Sequence, residues 1–142
     1  PRWGKATDPW IKNRVHMERA LDRVEKLKVL KASKILINLQ HGGGALYWPD
    51  DKVVQYMGAG ALMIVNDRRD LGLIFERGEE ILTYQKKEEL QTLIREYLEN
   101  EPKRLEIAQK GQARARRDHT TAVRFEQILT LLAERGLPAG GS

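Results

Sequence analysis

Residues 34–67 read KILINLQHGGGALYWPDDKVVQYMGAGALMIVND, and this stretch decides the fold class. An apolar run over Ile35–Leu39 stops at a polar, glycine-rich turn, and a second apolar run covers Ala61–Val65. Between them, Asp50–Met57 has the pattern of a short helix that ends at Gly58-Ala59-Gly60. Strand, loop, helix and strand in this order form the βαβ unit of a parallel sheet.

The ends of these two predicted strands carry the polar residues that indicate a binding site. His41 and Gly42-Gly43-Gly44 follow the first strand, and Asn66-Asp67 follow the second. Parallel sheets bind their ligands at the carboxyl ends of the strands. We therefore expect a ligand at this edge of the sheet.

The remaining sequence predicts one more strand and several helices. A basic segment, either one long helix or a pair of helices, starts at Asp8-Pro9 and ends near Ala32-Ser33. A short helix over Arg69–Phe75 precedes a third strand over Glu80–Tyr84. Three further helices are predicted over Lys86–Asn100, over Pro102–Arg117, and from a cap at Thr120 or Thr121 through Leu132.

Together these elements predict an α/β fold, a Rossmann-like parallel sheet with three strands flanked by helices. The first strand, an apolar run, is expected to be covered on both faces, and one of its edges is left bare. Leu90, Leu93, Ile94, Tyr97 and Leu98 form an apolar stripe on one helix, which we interpret as core. The predicted segments are a basic helical part at 1–34, a Rossmann-like half-domain at 35–135 and a flexible tail at 136–142.

Length and composition fit a single folded domain. The chain has 142 residues, 41% of them hydrophobic and none of them cysteine, so disulfides and thiol catalysis are excluded. No window of about 18 apolar residues predicts a membrane span. No secretory signal is recognisable at the start, and a first residue of Pro1 suggests a trimmed or excised segment. We predict a cytoplasmic location.

The net charge of +5 is unevenly distributed. Residues 1–34 and 102–142 are basic, whereas residues 35–101 are acidic. A basic balance indicates a nucleic acid, a membrane surface or a phosphorylated ligand, or simply solvated helix faces. The run Arg114-Ala115-Arg116-Arg117 lies in a predicted helix, and the basic residues lack interleaved aromatic residues. We therefore favour solvated faces over nucleic-acid binding.

Three phrases in a fixed order carry a family resemblance. They are DDKVVQYMGAGALMIVND, then LGLIFERGEEILTY, then KEELQTLIREYLENEPKRLEIAQKGQARARRDHTTAVRFEQIL. Their order and spacing over residues 34–132 resemble the C-terminal part of group 1 glycosyltransferases of the GT-B fold, in particular the spore-maturation (CgeB-type) branch. The turn at Arg2-Trp3-Gly4 extends the resemblance toward the start of the chain.

The resemblance implies a binding site for a nucleotide-sugar donor, with no other cofactor. Many members carry two glutamates eight positions apart before a glycine like Gly60, and this chain has Tyr47 and Gln55 at those places. Gln55 can still donate or accept a hydrogen bond with a ribose hydroxyl, without bringing a charge. In such enzymes the acceptor is held by a second, N-terminal domain, which these residues do not include.

The predicted donor-binding residues are His41, Gly42, Gly43, Lys52, Gln55 and Asp67. Each has a simpler alternative. Lys52, in the first turn of the predicted helix, is either a phosphate partner or a solvated lysine. The glycine run either lets backbone approach a ligand or is a plain flexible loop. His41 either orients a sugar or phosphate group or does neither.

Asp67 either contributes to the site or caps the helix that follows it. Arg68-Arg69 beside it form a second candidate phosphate contact. Glu79 and Glu80 precede the third strand and are expected at the opposite edge, in solvent. The three histidines are too scattered to predict a metal site, and no residue is assigned a catalytic role.

Two functions are favoured from the sequence, and a third, an RNA- or DNA-binding domain suggested by charge alone, ranks below them. The first is a donor-binding segment of a glycosyltransferase that moves a sugar from a nucleotide diphosphate to an unknown acceptor, inactive in isolation. The second is a non-catalytic α/β module that acts through self-association or partner binding at the bare sheet edge.

Overall fold

The computed structural model of the chain describes residues 20–38 and 51–136. In chain order its elements are α1 Arg23–Ala32, β1 Ile35–Asn38, α2 Asp51–Ala59, β2 Leu62–Asn66, a 3-10 helix Arg69–Leu73, β3 Leu82–Tyr84, α3 Lys87–Glu99, α4 Glu101–Asp118 and α5 Thr121–Glu134. Within this part of the chain, no helix is both long and apolar enough to cross a membrane.

The three strands form one parallel sheet in the order β1-β2-β3. Asn38 lies beside Val65 in the register of β1 with β2, and Asn66 lies beside Tyr84 in the register of β2 with β3. The predicted α/β fold with a three-stranded Rossmann-like sheet is therefore confirmed.

Strand β2 is the centre of the core. Its residues alternate between two clusters, with Met63 and Val65 on the face that packs against α2, and Leu62 and Ile64 on the face that packs against α3 and α4. All four side chains are buried. A continuous apolar run is what a strand covered on both faces requires.

The expectation that β1 is also covered on both faces is wrong in part. Ile37 is 40% exposed, although Leu36 and Ile35 pack against the two clusters. The difference arises because, among the strands that the structure describes, β1 pairs with β2 alone and so lies at the edge of the sheet.

The start of α1 is fixed by a capping box. The Asp22 carboxylate accepts hydrogen bonds from the backbone N–H groups of Val24 and Glu25, both at 2.8 Å, and Glu25 reaches back to the backbone N–H of Asp22. Residues 20–22 are not helical, so a single long helix up to Ala32 is wrong. A pair of helices remains compatible, and the predicted start at Asp8-Pro9 lies outside the described residues.

The other boundaries shift by a few residues for local reasons. Helix α2 continues to Ala59 and ends at Gly60, whose φ of 93° suits glycine. The short helix after β2 is a 3-10 helix, and β3 begins at Leu82 because a turn occupies residues 78–80. Thr120 caps α5 as predicted, accepting from the Val123 N–H at 3.3 Å.

The predicted apolar stripe on α3 is confirmed for four of its five residues. Tyr97 is buried, and Leu90, Leu93 and Ile94 pack against its cluster. Leu98 is about half exposed, because it lies at the end of α3 and beside the face rather than on it.

Candidate functional site

The ends of the three strands and the start of α2 lie at one edge of the sheet. The strands end there at Asn38, Asn66 and Tyr84. A crossover helix runs antiparallel to the parallel strands that it connects, so α2 begins at the edge where β1 ends and β2 ends. The N-terminus of α2 and the strand ends therefore face the same space.

Two predicted donor-site residues lie on the exposed side of α2. Lys52 is in the first turn, as predicted, and Gln55 follows three positions later. Residues three apart on a helix are neighbours on its surface. The predicted site residues His41, Gly42 and Gly43, as well as Tyr47, lie outside the described part of the chain.

Asp67 is held by a partner ten residues away. Its carboxylate accepts a hydrogen bond from Arg77 Nε at 2.8 Å, and its own N–H donates to the Tyr84 carbonyl at 2.8 Å. The Arg77 guanidinium also donates to the carbonyls of Arg68 and Arg69. The alternative that Asp67 caps the next helix is wrong, because the 3-10 helix starts after Arg68 with no side-chain cap.

Asn38 belongs to this edge and was missed by the sequence analysis. Its residue surface is 7% exposed, and its Nδ2 has no hydrogen-bond partner within the residues that the structure describes. Buried amides are almost always hydrogen-bonded, so such a nitrogen needs an explanation. The available signal was a polar residue inside an otherwise apolar run, ILINL.

Tyr84 closes the edge on the β3 side. Burial raises the pKa of its phenol above the ordinary value, and the nearby positive charge of Arg68 opposes this rise. Tyr84 therefore stays neutral near pH 7 and offers a hydroxyl rather than a phenolate.

The comparison with protein families agrees with this geometry. A family model described as glycosyl transferase-like matches residues 1–130, which is most of the chain. The chain belongs to this glycosyl transferase-like family. No curated protein and no solved structure matches it. The match confirms the resemblance to glycosyltransferases and does not distinguish the spore-maturation branch.

Away from the edge, the acidic pair before β3 is not simply solvated in this glycosyl transferase-like chain. Glu79 forms an ion pair with Lys110 of α4 at 2.6 Å, and Glu80 accepts a hydrogen bond from the Glu76 N–H at 2.9 Å. Glu106 is a second partner of Lys110, and the two carboxylates raise the pKa of its ammonium group. These contacts attach α4 to the turn before β3.

A cavity of about 380 Å³ lies at that turn and not at the strand ends. Its described lining is Gly72, Phe75, Glu76, Arg77, Glu80 and Arg114. Both arginines are already engaged, Arg77 with Asp67 and Arg114 with Asp118. Among the residues that the structure places, no group of three or more His, Asp or Glu side chains suits a metal ion.

The basic run on α4 is divided between packed and exposed side chains. Ala115 is buried, and Arg114 donates to the Ile74 carbonyl at 3.3 Å and pairs with Asp118 at 2.9 Å. Arg117 donates to the same carboxylate at 2.8 Å and lowers the pKa of Asp118. Arg116 and Arg117 of this run are exposed, as expected for the solvated helix face that the sequence predicts.

Proposed function

We propose that the chain binds the nucleotide diphosphate of a sugar donor at the carboxyl edge of its sheet. The observation that supports this best is the position of the α2 N-terminus beside the ends of β1 and β2, in a chain of the glycosyl transferase-like family. Ligands of open parallel sheets bind in this crevice.

The chemistry of the edge suits a diphosphate. The first N–H groups of a helix are without helical partners and carry partial positive charge, so they bind phosphate oxygens. Lys52 adds a cation in the same turn, and Gln55 is one turn further along for a ribose hydroxyl. In this proposal Asp67 positions the end of β2 through Arg77, and His41 with Gly42 and Gly43 completes the site.

In the whole enzyme we propose transfer of the sugar to an acceptor that is bound by a separate domain. Such a transfer depends on positioning the two substrates and on stabilising the negative charge of the leaving diphosphate. The donor-binding segment stabilises the negative charge of the leaving diphosphate. We therefore expect donor binding without sugar transfer from this chain alone.

Isothermal titration with uridine and guanosine diphosphate tests the proposal. Binding is expected for the unmodified chain, and Lys52→Gln is expected to weaken it several-fold by removing the cation. Lys31→Gln is the matched control, since Lys31 is exposed in the last turn of α1, at the opposite end of β1. If no nucleoside diphosphate binds, the proposal of donor binding is overturned. Sugar transfer by the isolated chain would overturn the expectation that the chain is inactive alone.

A second candidate function, self-association without catalysis, is favoured by the edge position of β1 and the exposure of Ile37. An unpaired strand edge is a template for another chain. Size-exclusion chromatography over a range of concentrations tests it, because a monomer at all concentrations excludes association through this edge.

The finer placement within the family, in the spore-maturation branch, is also a proposal. It is supported by the order of the three phrases that carry the resemblance, and the described helices and strands follow that order. Cytoplasmic location likewise stays a prediction from composition.

A further inference from the structure

Asn38 is a polar side chain at this edge to which the proposed function assigns no role. It ends β1, it is more than nine-tenths buried, and its Nδ2 has no hydrogen-bond partner within residues 20–38 and 51–136. An unpaired buried amide destabilises a folded chain. Each such group in a native structure calls for an explanation, and a ligand that accepts its hydrogen bond in the bound state is one.

The register places Asn38 on the face of the sheet that α2 covers. Asn38 is two residues after Leu36 and lies beside Val65, and both of those side chains pack in the cluster that contains Val53 and Met57 of α2. Alternate residues of a strand share a face. Asn38 therefore lies under α2, at the end where α2 begins.

We infer that Asn38 donates a hydrogen bond from Nδ2 to a phosphate oxygen of the donor, next to the N-terminus of α2; this inference rests on the proposed function. An amide N–H and the helix N–H groups are donors of the same kind, and an anionic oxygen accepts from several of them at once. The nitrogen has almost no accessible surface without ligand. Binding of a ligand to Asn38 Nδ2 therefore requires a local rearrangement that exposes this nitrogen.

Asn38→Leu tests the inference because affinity and stability should move in opposite directions. Leucine has nearly the shape of asparagine and removes the unpaired amide, so the unfolding temperature should stay the same or rise. The affinity for uridine diphosphate and for inorganic pyrophosphate should fall about tenfold. Asn38→Ala, which removes the amide without demanding space, should weaken both ligands to a similar degree.

Leu36→Ala is the matched control on the same strand and the same face. It removes apolar packing and no donor, so the unfolding temperature should fall while the folded chain keeps its affinity. A role of Asn38 in folding alone predicts the Leu36→Ala pattern for the Asn38 variants, and that result overturns the inference.

The two ligands separate this inference from the proposed function. Equal affinity of wild type and both Asn38 variants for uridine diphosphate overturns the inference and leaves donor binding intact. Pyrophosphate binding that depends on Asn38, with no binding of any nucleoside diphosphate, supports the inference and overturns the nucleotide part of the proposal. Failure of the unmodified chain to bind either ligand overturns both.

Discussion

Gly111 on α4 lies directly against the backbone carbonyl of Glu80, with the Met57 side chain of α2 also in contact. A β-carbon at position 111 would overlap the Glu80 oxygen and Met57 Cε. Gly111 is also buried. The absence of a side chain here lets α4 approach both α2 and the turn before β3.

Gly111→Ala is therefore expected to destabilise the chain. Alanine favours a helix over glycine by about 1 kcal/mol, but overpacking against a backbone atom costs about 1–3 kcal/mol and more where backbone must move. Since the Glu80 carbonyl is backbone, we expect net destabilisation by about 1–2 kcal/mol. Urea unfolding followed by circular dichroism measures it.

Gly58→Ala is the matched control for this change. Gly58 is also helical, and a β-carbon there would meet no described atom within 4 Å outside the backbone of its own helix. It should stabilise the chain by about 0.5–1 kcal/mol, through helix propensity alone. Equal effects at the two glycines would contradict the close approach of α4 to Glu80.

The Asp67–Arg77 pair predicts a modest coupling. Both side chains are about one-third exposed, so solvent screens the ion pair and the coupling energy should be about 0.5–1 kcal/mol. Arg77→Met should cost more than Asp67→Asn, because it also removes donors to the carbonyls of Arg68 and Arg69. A double-mutant cycle at low and high salt checks both statements.

The same pair separates two roles of Asp67. If Asp67 acts only by holding the end of β2, Asp67→Asn and Arg77→Met should weaken nucleotide binding to a similar degree. If Asp67 contacts the ligand, Asp67→Asn alone should change the affinity. Titration of both variants with uridine diphosphate distinguishes these outcomes.

Glu89 makes stability depend on pH at the start of α3. Its carboxylate accepts from the N–H groups of Gln85 at 2.8 Å and Lys86 at 3.3 Å, and these bonds lower its pKa in the folded chain. A lowered folded pKa gives stability that is present above the unfolded pKa and is lost as pH falls through the folded value. Glu89→Gln should thus be less stable than wild type near pH 7.

This difference between Glu89→Gln and wild type should shrink as pH falls below the unfolded pKa of about 4.3, and be lost below the lowered folded pKa, where the carboxylate is protonated in both states. Glu88→Gln is the control, since Glu88 lies in the same first turn and its carboxylate makes no such bond in the described structure. Thermal unfolding of the three chains across this pH range gives the result. A pH-independent difference would show that Glu89 acts without its charge.

His119 connects the start of α5 to the segment that follows the 3-10 helix. Its Nε2 lies 3.0 Å from the Ile74 carbonyl, its Nδ1 lies 2.7 Å from Arg124 Nη2, and its ring meets Phe75 edge-on at 5.1 Å. Nε2 thus donates while Nδ1 accepts. His119→Ala should loosen the packing of α5. In this variant the amides of α5 should then exchange hydrogen faster than those of β2. Equal protection of the two elements would contradict the role of His119 in holding α5.

The sequence was sufficient for the fold because periodicity and turn residues act locally. The apolar run that becomes β2, the glycine after α2 and the threonine before α5 each fix an element from its own neighbourhood. The exposure of Ile37 was not predictable in the same way. The bare edge of β1 was predicted, but how far a neighbouring helix covers the face that carries Ile37 depends on tertiary packing, which no local pattern records.

The site was predicted less well because its contacts are distant in sequence. The edge itself, with Lys52 in the first turn of α2, follows from the βαβ pattern. Arg77 reaches Asp67 across ten positions, and Lys110 reaches Glu79 across 31. Pairings of this kind depend on the packed structure, and so does the unpartnered amide of Asn38.

The burial of β2 on both faces also governs what happens when the chain unfolds. Residues 61–66, ALMIVN, are uncharged and, apart from the final asparagine, apolar; they contain no proline and follow an uncharged Gly-Ala-Gly. Such a segment forms intermolecular β-structure readily once exposed. Heat-unfolded chains should therefore aggregate faster than they refold, so that survival at high temperature is set by the rate at which β2 is released.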